Sequence, residues 1–233
     1  MKTSFLKAIA LILSGDEQLL NIIGVTLRMG LSSSIIALLI GVPLGFLLGI
    51  SHRRGKNILI VINRTLMGLP PVVCGLICYM LFSGVGPLRH LRLLYTVKGM
   101  IIAQVLLLTP LAVGNLESHV SAVASPIRKT TRGLGLGHFQ TLYLLVGECR
   151  YQVLSTYLFI LGRAFAEVGA ISMVGGAIAY KTNVMTTAIM NYSNMGNITQ
   201  ALALGIILLL MSLLINTVAA VLFILLNRGK VSK

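Results

Sequence analysis

Charged residues are scarce in this chain, at 10% of 233 residues, and acidic residues are scarcer still. Five Asp and Glu stand against 19 Lys and Arg, which gives a formal net charge of +14. With 56% hydrophobic residues and a mean hydropathy of +0.94, the composition is typical of an integral membrane protein and argues against a soluble domain. Because the basic residues stand mostly between long apolar runs, membrane topology accounts for them, and we expect no nucleic-acid partner.

The residues of common catalytic and metal sites are present but form no recognisable pattern. Cys74, Cys78 and Cys149 make neither a zinc-binding spacing with histidine nor a disulfide framework. The glycine-rich run at 133–137 lacks the Lys-Ser/Thr of a phosphate-binding loop, and no metalloprotease or nucleophile-elbow motif occurs. We therefore expect a chain that is not an enzyme and that holds no cofactor and no metal. A stand-alone channel or secondary carrier, and an intramembrane enzyme, are the alternatives from other classes.

The apolar runs predict an all-α fold, an integral membrane helix bundle of about five core transmembrane helices. A spanning helix needs roughly 20 apolar residues. The runs cover residues 26–50, 58–82, 99–113, 151–180 and 201–226. Residues 1–25 are expected to form an amphipathic helix at the membrane interface. Residues 26–228 would then be a single transmembrane domain, followed by a basic cytoplasmic tail at 229–233.

Small residues and prolines mark two special places within these spans. Gly41 and Gly45, with Gly49 one turn further on, have the spacing of a close helix–helix contact. Pro70 and Pro71 lie in the middle of the second run, where they free backbone carbonyls and kink a helix. A structural kink is favoured there over a break that lines a pore.

An opposite-charge pair lies inside the fourth run. Arg163 and Glu167 are four residues apart, and Gly169 is one of several glycines around them. Charges in a membrane helix are costly and normally face a protein interior or water. Residues at i and i+4 can neutralise each other along one helix. The pair is therefore either a structural ion pair that braces the helix or a polar site beside a transport pathway, and both interpretations stay open.

Residues 120–150 form the one sizeable segment that is both basic and amphipathic. The pattern predicts two short helices joined by a glycine turn, with Ser125-Pro126 at the start of the first helix. Gly133, Gly135 and Gly137 would end that helix, because glycine tolerates left-handed backbone.

The second helix of this segment shows one apolar face. The face consists of Phe139, Leu142, Tyr143 and Val146. We expect this face to pack on the spans, while Lys129, Arg132 and His138 face a partner in the water.

Loop charge sets the expected orientation. With residues 115–150 in the cytoplasm, more basic residues fall inside than outside, as the positive-inside rule requires. The C-terminus is then cytoplasmic and the N-terminus outside. Residues 89–98 run against the rule, because Arg89, Arg92 and Lys98 fall outside.

Residues 129–147 resemble the cytoplasmic loop of permease subunits of bacterial ATP-binding cassette importers. Gly135 matches the glycine that follows the Glu-Ala-Ala triplet of that loop. Lys129-Thr130-Thr131 stands where Glu-Ala-Ala is common, and Val146-Gly147 stands where Leu-Pro is common. The run at 162–176 resembles the oxyanion branch, which comprises molybdate, tungstate and sulfate permeases. Two further runs, at 185–189 and 201–205, look most like the tungstate type.

The resemblance implies a MetI-like permease in the bacterial cytoplasmic (inner) membrane. It implies a homodimer, cytoplasmic ATPase subunits that hydrolyse ATP, and an extracytoplasmic oxyanion-binding protein. In this family the cytoplasmic loop is a coupling helix seated in a cleft of the ATPase. The residues expected to contact the ATPase are Lys129, Thr130, Thr131, Gly135, His138 and Phe139. Those expected in the translocation pathway are Arg163, Glu167 and Gly169.

Overall fold

The computed structural model describes residues 17–51 and 55–228, with the backbone alone for 219, 220 and 222–228. Within these ranges the fold is all-α and contains no strand. The α-helices are α1 (Glu17–Ile50), α2 (Lys56–Met67), α3 (Pro71–Phe82), α4 (Val97–Gly133), α5 (His138–Phe165), α6 (Gly169–Gly175), α7 (Met185–Asn194) and α8 (Ile198–Arg228). A 3₁₀ turn, Arg89–Leu91, lies between α3 and α4.

Three of these helices are long and apolar enough to cross a membrane: Glu17–Ile50, Val97–Gly133 and the Ile198–Val218 part of α8. Two bent pairs also qualify, α2 with α3 at 94° and α5 with α6 at 57°. Counting each pair as one broken span gives five, which agrees with the predicted number. The 94° angle at Gly68-Leu69-Pro70-Pro71 is a break between two helices and is larger than the predicted kink.

The helix that carries the predicted third span is longer than that span. No separate helix begins at Ser125-Pro126, because α4 continues through Pro110 and Pro126 to Gly133. Val120 and Ala124 are buried there against Phe46, and this burial outweighs the one backbone hydrogen bond that a proline removes. The second predicted short helix is likewise continuous with the fourth span, as α5.

The predicted terminal segments fall mostly outside the described residues. Residues 1–16 and 229–233 are not described. Residues 17–25 are the first turns of α1, where Leu19 and Ile22 are buried against Met185 and Leu204.

The described residues divide into two compact units. The first unit holds residues 17–33, 70–105 and 161–228, and the second holds residues 34–69 and 106–160.

Glycines allow a close helix–helix contact in the second unit, as the sequence predicted. A Cβ at Gly41 would lie 2.5 Å from Cβ of Ala112, and one at Gly45 would lie 2.7 Å from Cβ of Leu116. Gly49 faces Val120 at a similar distance. Both sets repeat every four residues, so the backbones of α1 and α4 approach closely along this contact. We call it the glycine seam.

Polar side chains and small residues hold the first unit together. Ser33 Oγ donates to Gln104 Oε1 at 2.7 Å, and Gln104 Nε2 donates to the Ala164 carbonyl at 2.6 Å. The backbone N–H of Met185 donates to Thr26 Oγ1 at 2.9 Å. These hydrogen bonds join α1, α4, α5 and α7 by groups that would be costly to leave unpaired in an apolar interior.

Candidate functional site

The ends of α4 and α5 form a helix hairpin, residues 120–150, with its turn at 134–137. The Leu136 N–H donates to the Thr131 carbonyl at 2.9 Å, and the Gly135 N–H donates to the Arg132 carbonyl at 3.1 Å. Gly135 has φ +67°. This combination is a Schellman motif, in which a residue in left-handed conformation satisfies the last helical carbonyls. The predicted role of Gly135 as the helix-ending residue is confirmed.

Gln140 fixes the other side of the turn. Its Oε1 accepts a hydrogen bond from the Gly137 N–H at 2.9 Å, as the residue in the third position of a capping box does. Thr141 Oγ1 donates to the Gly137 carbonyl at 3.0 Å. The hairpin turn is therefore hydrogen-bonded on both sides.

Five of the six residues predicted to contact an ATPase lie on the surface of the hairpin. Lys129, Thr130, Gly135, His138 and Phe139 are exposed. The sixth residue, Thr131, is buried, and its hydroxyl donates to the Ile127 carbonyl at 3.0 Å. Because its side chain is buried inside the hairpin, Thr131 supports the hairpin from within.

The apolar face predicted for the second hairpin helix is not its packing face. Phe139 is 87% and Tyr143 is 80% exposed. In the hairpin part of α5, the buried apolar residues are instead Leu145 and Cys149, which belong to the core of the second unit. Helical spacing of apolar residues identifies a face, but it does not distinguish a face that meets the core from one that is left open. The hairpin thus exposes two aromatic side chains, one turn apart, and it also carries exposed basic residues.

Arg163 and Glu167 form the predicted ion pair. Arg163 Nη2 lies 3.4 Å from Glu167 Oε2, and the side chains are 44% and 5% exposed. Glu167 lies at the break between α5 and α6, where its Oε1 accepts a hydrogen bond from the Ala170 N–H at 3.3 Å. Its carbonyl accepts one from Thr186 Oγ1 at 2.8 Å. Glu167 therefore stabilises the break, while the Arg163 guanidinium remains partly open.

Gly169 lies where α6 crosses α3. A Cβ at this position would come within 2.8 Å of Val72 Cγ2 and 3.2 Å of the Val72 backbone nitrogen. One turn along α3, a Cβ at Gly75 would lie 2.7 Å from Ala170 Cα. Glycine is thus required by the close approach of two helices.

A second charged pair was not anticipated from the sequence. Lys56 Nζ lies 3.6 Å from Glu117 Oε1, and it donates a hydrogen bond to Ser121 Oγ at 2.9 Å. Ser121 Oγ in turn donates to Glu117 Oε1 at 2.8 Å. Glu117, one of only five acidic residues, was the available signal, but its partner is distant in sequence.

A cavity of about 370 Å³ adjoins Glu117 of this pair in the second unit. Asn63, Arg64, Asn115 and Glu117 are among the residues that line it. Asn63 Nδ2 donates to the Pro110 carbonyl at 3.1 Å, which fixes α2 against α4. In the described part of the chain, no group of three His, Cys, Asp or Glu could hold a metal ion.

Comparison with known proteins identifies similar sequences over almost the whole chain. Residues 41–231 match the family described as binding-protein-dependent transport system inner membrane component. A tungstate uptake system permease protein, TupB, from Peptoclostridium acidaminophilum is 36% identical over 214 residues, which cover 92% of this chain and 94% of that protein. TupB from Campylobacter jejuni is 32% identical, with coverage of 91% and 89%. A probable anion ABC transporter permease protein from Haloferax volcanii is 33% identical, with coverage of 87% and 89%.

Proposed function

Because this chain belongs to the family of inner membrane components of binding-protein-dependent transport systems, we propose that it is the permease subunit of an ATP-driven oxyanion importer. Tungstate is the proposed substrate, since the names of two similar proteins specify tungstate uptake. The predicted resemblance to the oxyanion permeases is confirmed, and so is the expectation of a transport subunit that is not an enzyme.

The helix hairpin is the proposed contact with the ATPase, and its exposed aromatic pair is the observation that carries this proposal. Phe139 and Tyr143 are exposed on the same hairpin as Lys129 and Arg132, whose charges are too costly to place in lipid. A hairpin that lies in water with two exposed aromatic side chains has the composition of a protein interface. Thr130, His138 and Gly135 belong to the same surface, and Thr131 supports it from within.

The proposed orientation places the hairpin in the cytoplasm. An odd number of spans puts the two termini on opposite sides, so the C-terminus is cytoplasmic and the N-terminus is outside the bacterial inner membrane. A second copy of the chain would supply the other half of the pathway, making a homodimer. Two ATPase subunits inside and an oxyanion-binding protein outside complete the proposed importer.

Arg163, Glu167 and Gly169 are proposed to lie beside the translocation pathway. The partly open guanidinium of Arg163 can contact an anion, while buried Glu167 holds the arginine side chain in place. Gly169 would keep α6 close enough to α3 for the charged pair to stay at the helix break.

Reconstitution with candidate partners tests this function. The chain is co-expressed with an ATPase and an oxyanion-binding protein from the same cells, purified through a tag on the permease, and placed in vesicles. We expect the ATPase to co-purify and tungstate uptake to require ATP. Phe139→Ala should abolish co-purification, whereas Phe159→Ala, an exposed position further along α5, should not. Tungstate uptake without ATP or ATPase would instead indicate a channel or carrier.

A further inference from the structure

A cavity of about 400 Å³ in the first unit gathers three basic side chains. Arg28 of α1, Arg92 of the loop after the 3₁₀ turn, and Lys98 in the first turn of α4 all line it. Thr96 also lines it, and the remaining wall is apolar, consisting of Leu91, Leu93, Val97 and Ile101. Arg28 lies far from the other two in sequence, so it is the fold that brings the three charges together.

The positive charge of this cavity is not balanced within the described part of the chain. None of the lining residues is acidic, and the side chains of Arg28, Arg92 and Lys98 make no ion pair or hydrogen bond there. Like charges that share a concave, partly apolar surface repel one another and focus a positive potential into it. The start of α4 at Val97 adds the positive end of a 37-residue helix to the same field.

The loop that carries Arg92 is held in an unfavourable conformation. Arg92 and Tyr95 have φ values of +48° and +58°, which are uncommon for residues other than glycine. The Tyr95 N–H donates to the Val174 carbonyl at 2.9 Å, and Thr96 Oγ1 accepts from the Gly99 N–H at 3.1 Å. Strained backbone that the surrounding structure maintains is typical of functional sites.

We propose that this basic cavity binds the transported divalent oxyanion on the outer side of the membrane, before it enters the pathway. The inference rests on the proposed function and its orientation, and it accounts for Arg92 and Lys98, two of the three basic residues at 89–98 that run against the positive-inside rule. A concave site of this size suits a small hydrated anion, whereas a protein partner would require a broad surface. A phosphate headgroup of an anionic lipid has the same anionic oxygen chemistry, and the experiment separates the two sources.

The experiment measures ATP-dependent tungstate uptake by the complete importer against the concentration of tungstate-loaded binding protein. Arg92→Asn removes the charge with a residue that tolerates left-handed backbone, and Arg28→Gln/Lys98→Gln removes the other two. We expect each variant to lower the maximal rate about three- to tenfold at low ionic strength, and the ratio to wild type to approach one at high salt. The half-saturating concentration of binding protein should not change.

Two control variants accompany the test. Arg89→Gln removes a charge from the adjoining 3₁₀ turn, at a residue that does not line the cavity, and should leave the rate unchanged. Arg92→Lys keeps the charge and should restore most of the rate. Because the three basic residues are exposed, co-purification with the ATPase should remain normal in every variant.

Four results would overturn the inference. A higher half-saturating concentration of binding protein, at an unchanged maximal rate, would assign the cations to protein docking. An effect seen in vesicles containing phosphatidylglycerol, but absent in phosphatidylcholine alone, would assign them to a lipid headgroup. If the cavity variants of an active importer had the same maximal uptake rate as Arg89→Gln, this site would be rejected while the proposed function would stand. A wild-type complex that imports no oxyanion would reject the proposed function and the site with it.

Discussion

Lys56 and Glu117 form an ion pair within the second unit, with Nζ and Oε1 3.6 Å apart and side chains only 18% and 8% exposed. Ser121 bonds to both residues, so the three polar groups satisfy one another in a partly buried position. A charge left alone in such a place is far more costly than the pair.

Removing one member of this pair should therefore destabilise the protein. Glu117→Gln and Lys56→Met are each expected to cost about 2–4 kcal/mol and to lower the melting temperature in detergent by roughly 5–10 °C. The double variant Lys56→Met/Glu117→Gln should recover part of the loss, because no unpaired charge remains. Lys181→Met, at an exposed lysine, is the control. Additive losses in the double variant would mean that the two residues are not coupled.

Gly135 should be sensitive to side-chain shape because of its backbone conformation. Space is available at this position, but φ +67° disfavours a β-branched residue. Gly135→Val is expected to uncouple ATP hydrolysis from tungstate uptake, while Gly135→Asn, which tolerates this conformation, keeps most of the coupling. The measurement is the ratio of ATP hydrolysed to tungstate transported. Gly133→Val is the control at a helical position with open space, and full coupling in Gly135→Val would contradict the prediction.

Substitutions of Arg163 and of Glu167 should differ in their effects on tungstate uptake and on the melting temperature. Arg163→Ala is expected to reduce tungstate uptake severalfold without preventing assembly, because its side chain is partly open and only one ion pair is lost. Glu167→Ala should also lower the melting temperature, since it removes the buried carboxylate that accepts the Ala170 N–H at the helix break. Thermal unfolding and uptake are measured on the same preparations. Normal uptake with Arg163→Ala would remove the pathway role from this pair.

A side chain added at the centre of the glycine seam should destabilise the protein. A Cβ at Gly45 would lie 2.7 Å from Leu116 Cβ, so Gly45→Val must push α1 away from α4. We expect a loss of about 1–3 kcal/mol, seen as a melting temperature lower by several degrees. Gly205→Val provides the comparison, because no atom lies near that position in α8. Equal melting temperatures of the two variants would show that the seam does not limit stability.

Features that depend on residues close in sequence were predictable. The five apolar spans follow from hydropathy, and the Arg163–Glu167 pair follows from helical spacing. Gly135 could be recognised as the end of a helix because few residues other than glycine adopt left-handed backbone readily. The family resemblance added the oxyanion branch, which the comparisons confirm.

Apart from the close approach at Gly41 and Gly45, features that depend on distant packing were not predictable. Pro126 indicates a helix start by local rules, but burial of Val120 and Ala124 against Phe46 keeps α4 continuous. Phe139 and Tyr143 have the spacing of a core face, yet they are left open. The Lys56–Glu117 pair and the cavity that unites Arg28 with Arg92 join positions far apart in the chain. No local pattern specifies such contacts.

The repeat of the glycine seam limits how its two helices can slide. Gly41, Gly45 and Gly49 face Ala112, Leu116 and Val120, so both partners repeat every four residues. A small axial shift would move the side chains of α4 away from the glycines of α1 and against the larger residues between them. The next register that fits is four residues, or about 6 Å, away. Residues 112–120 of α4 and 41–49 of α1 should therefore move together as one stiff body, without gradual slippage.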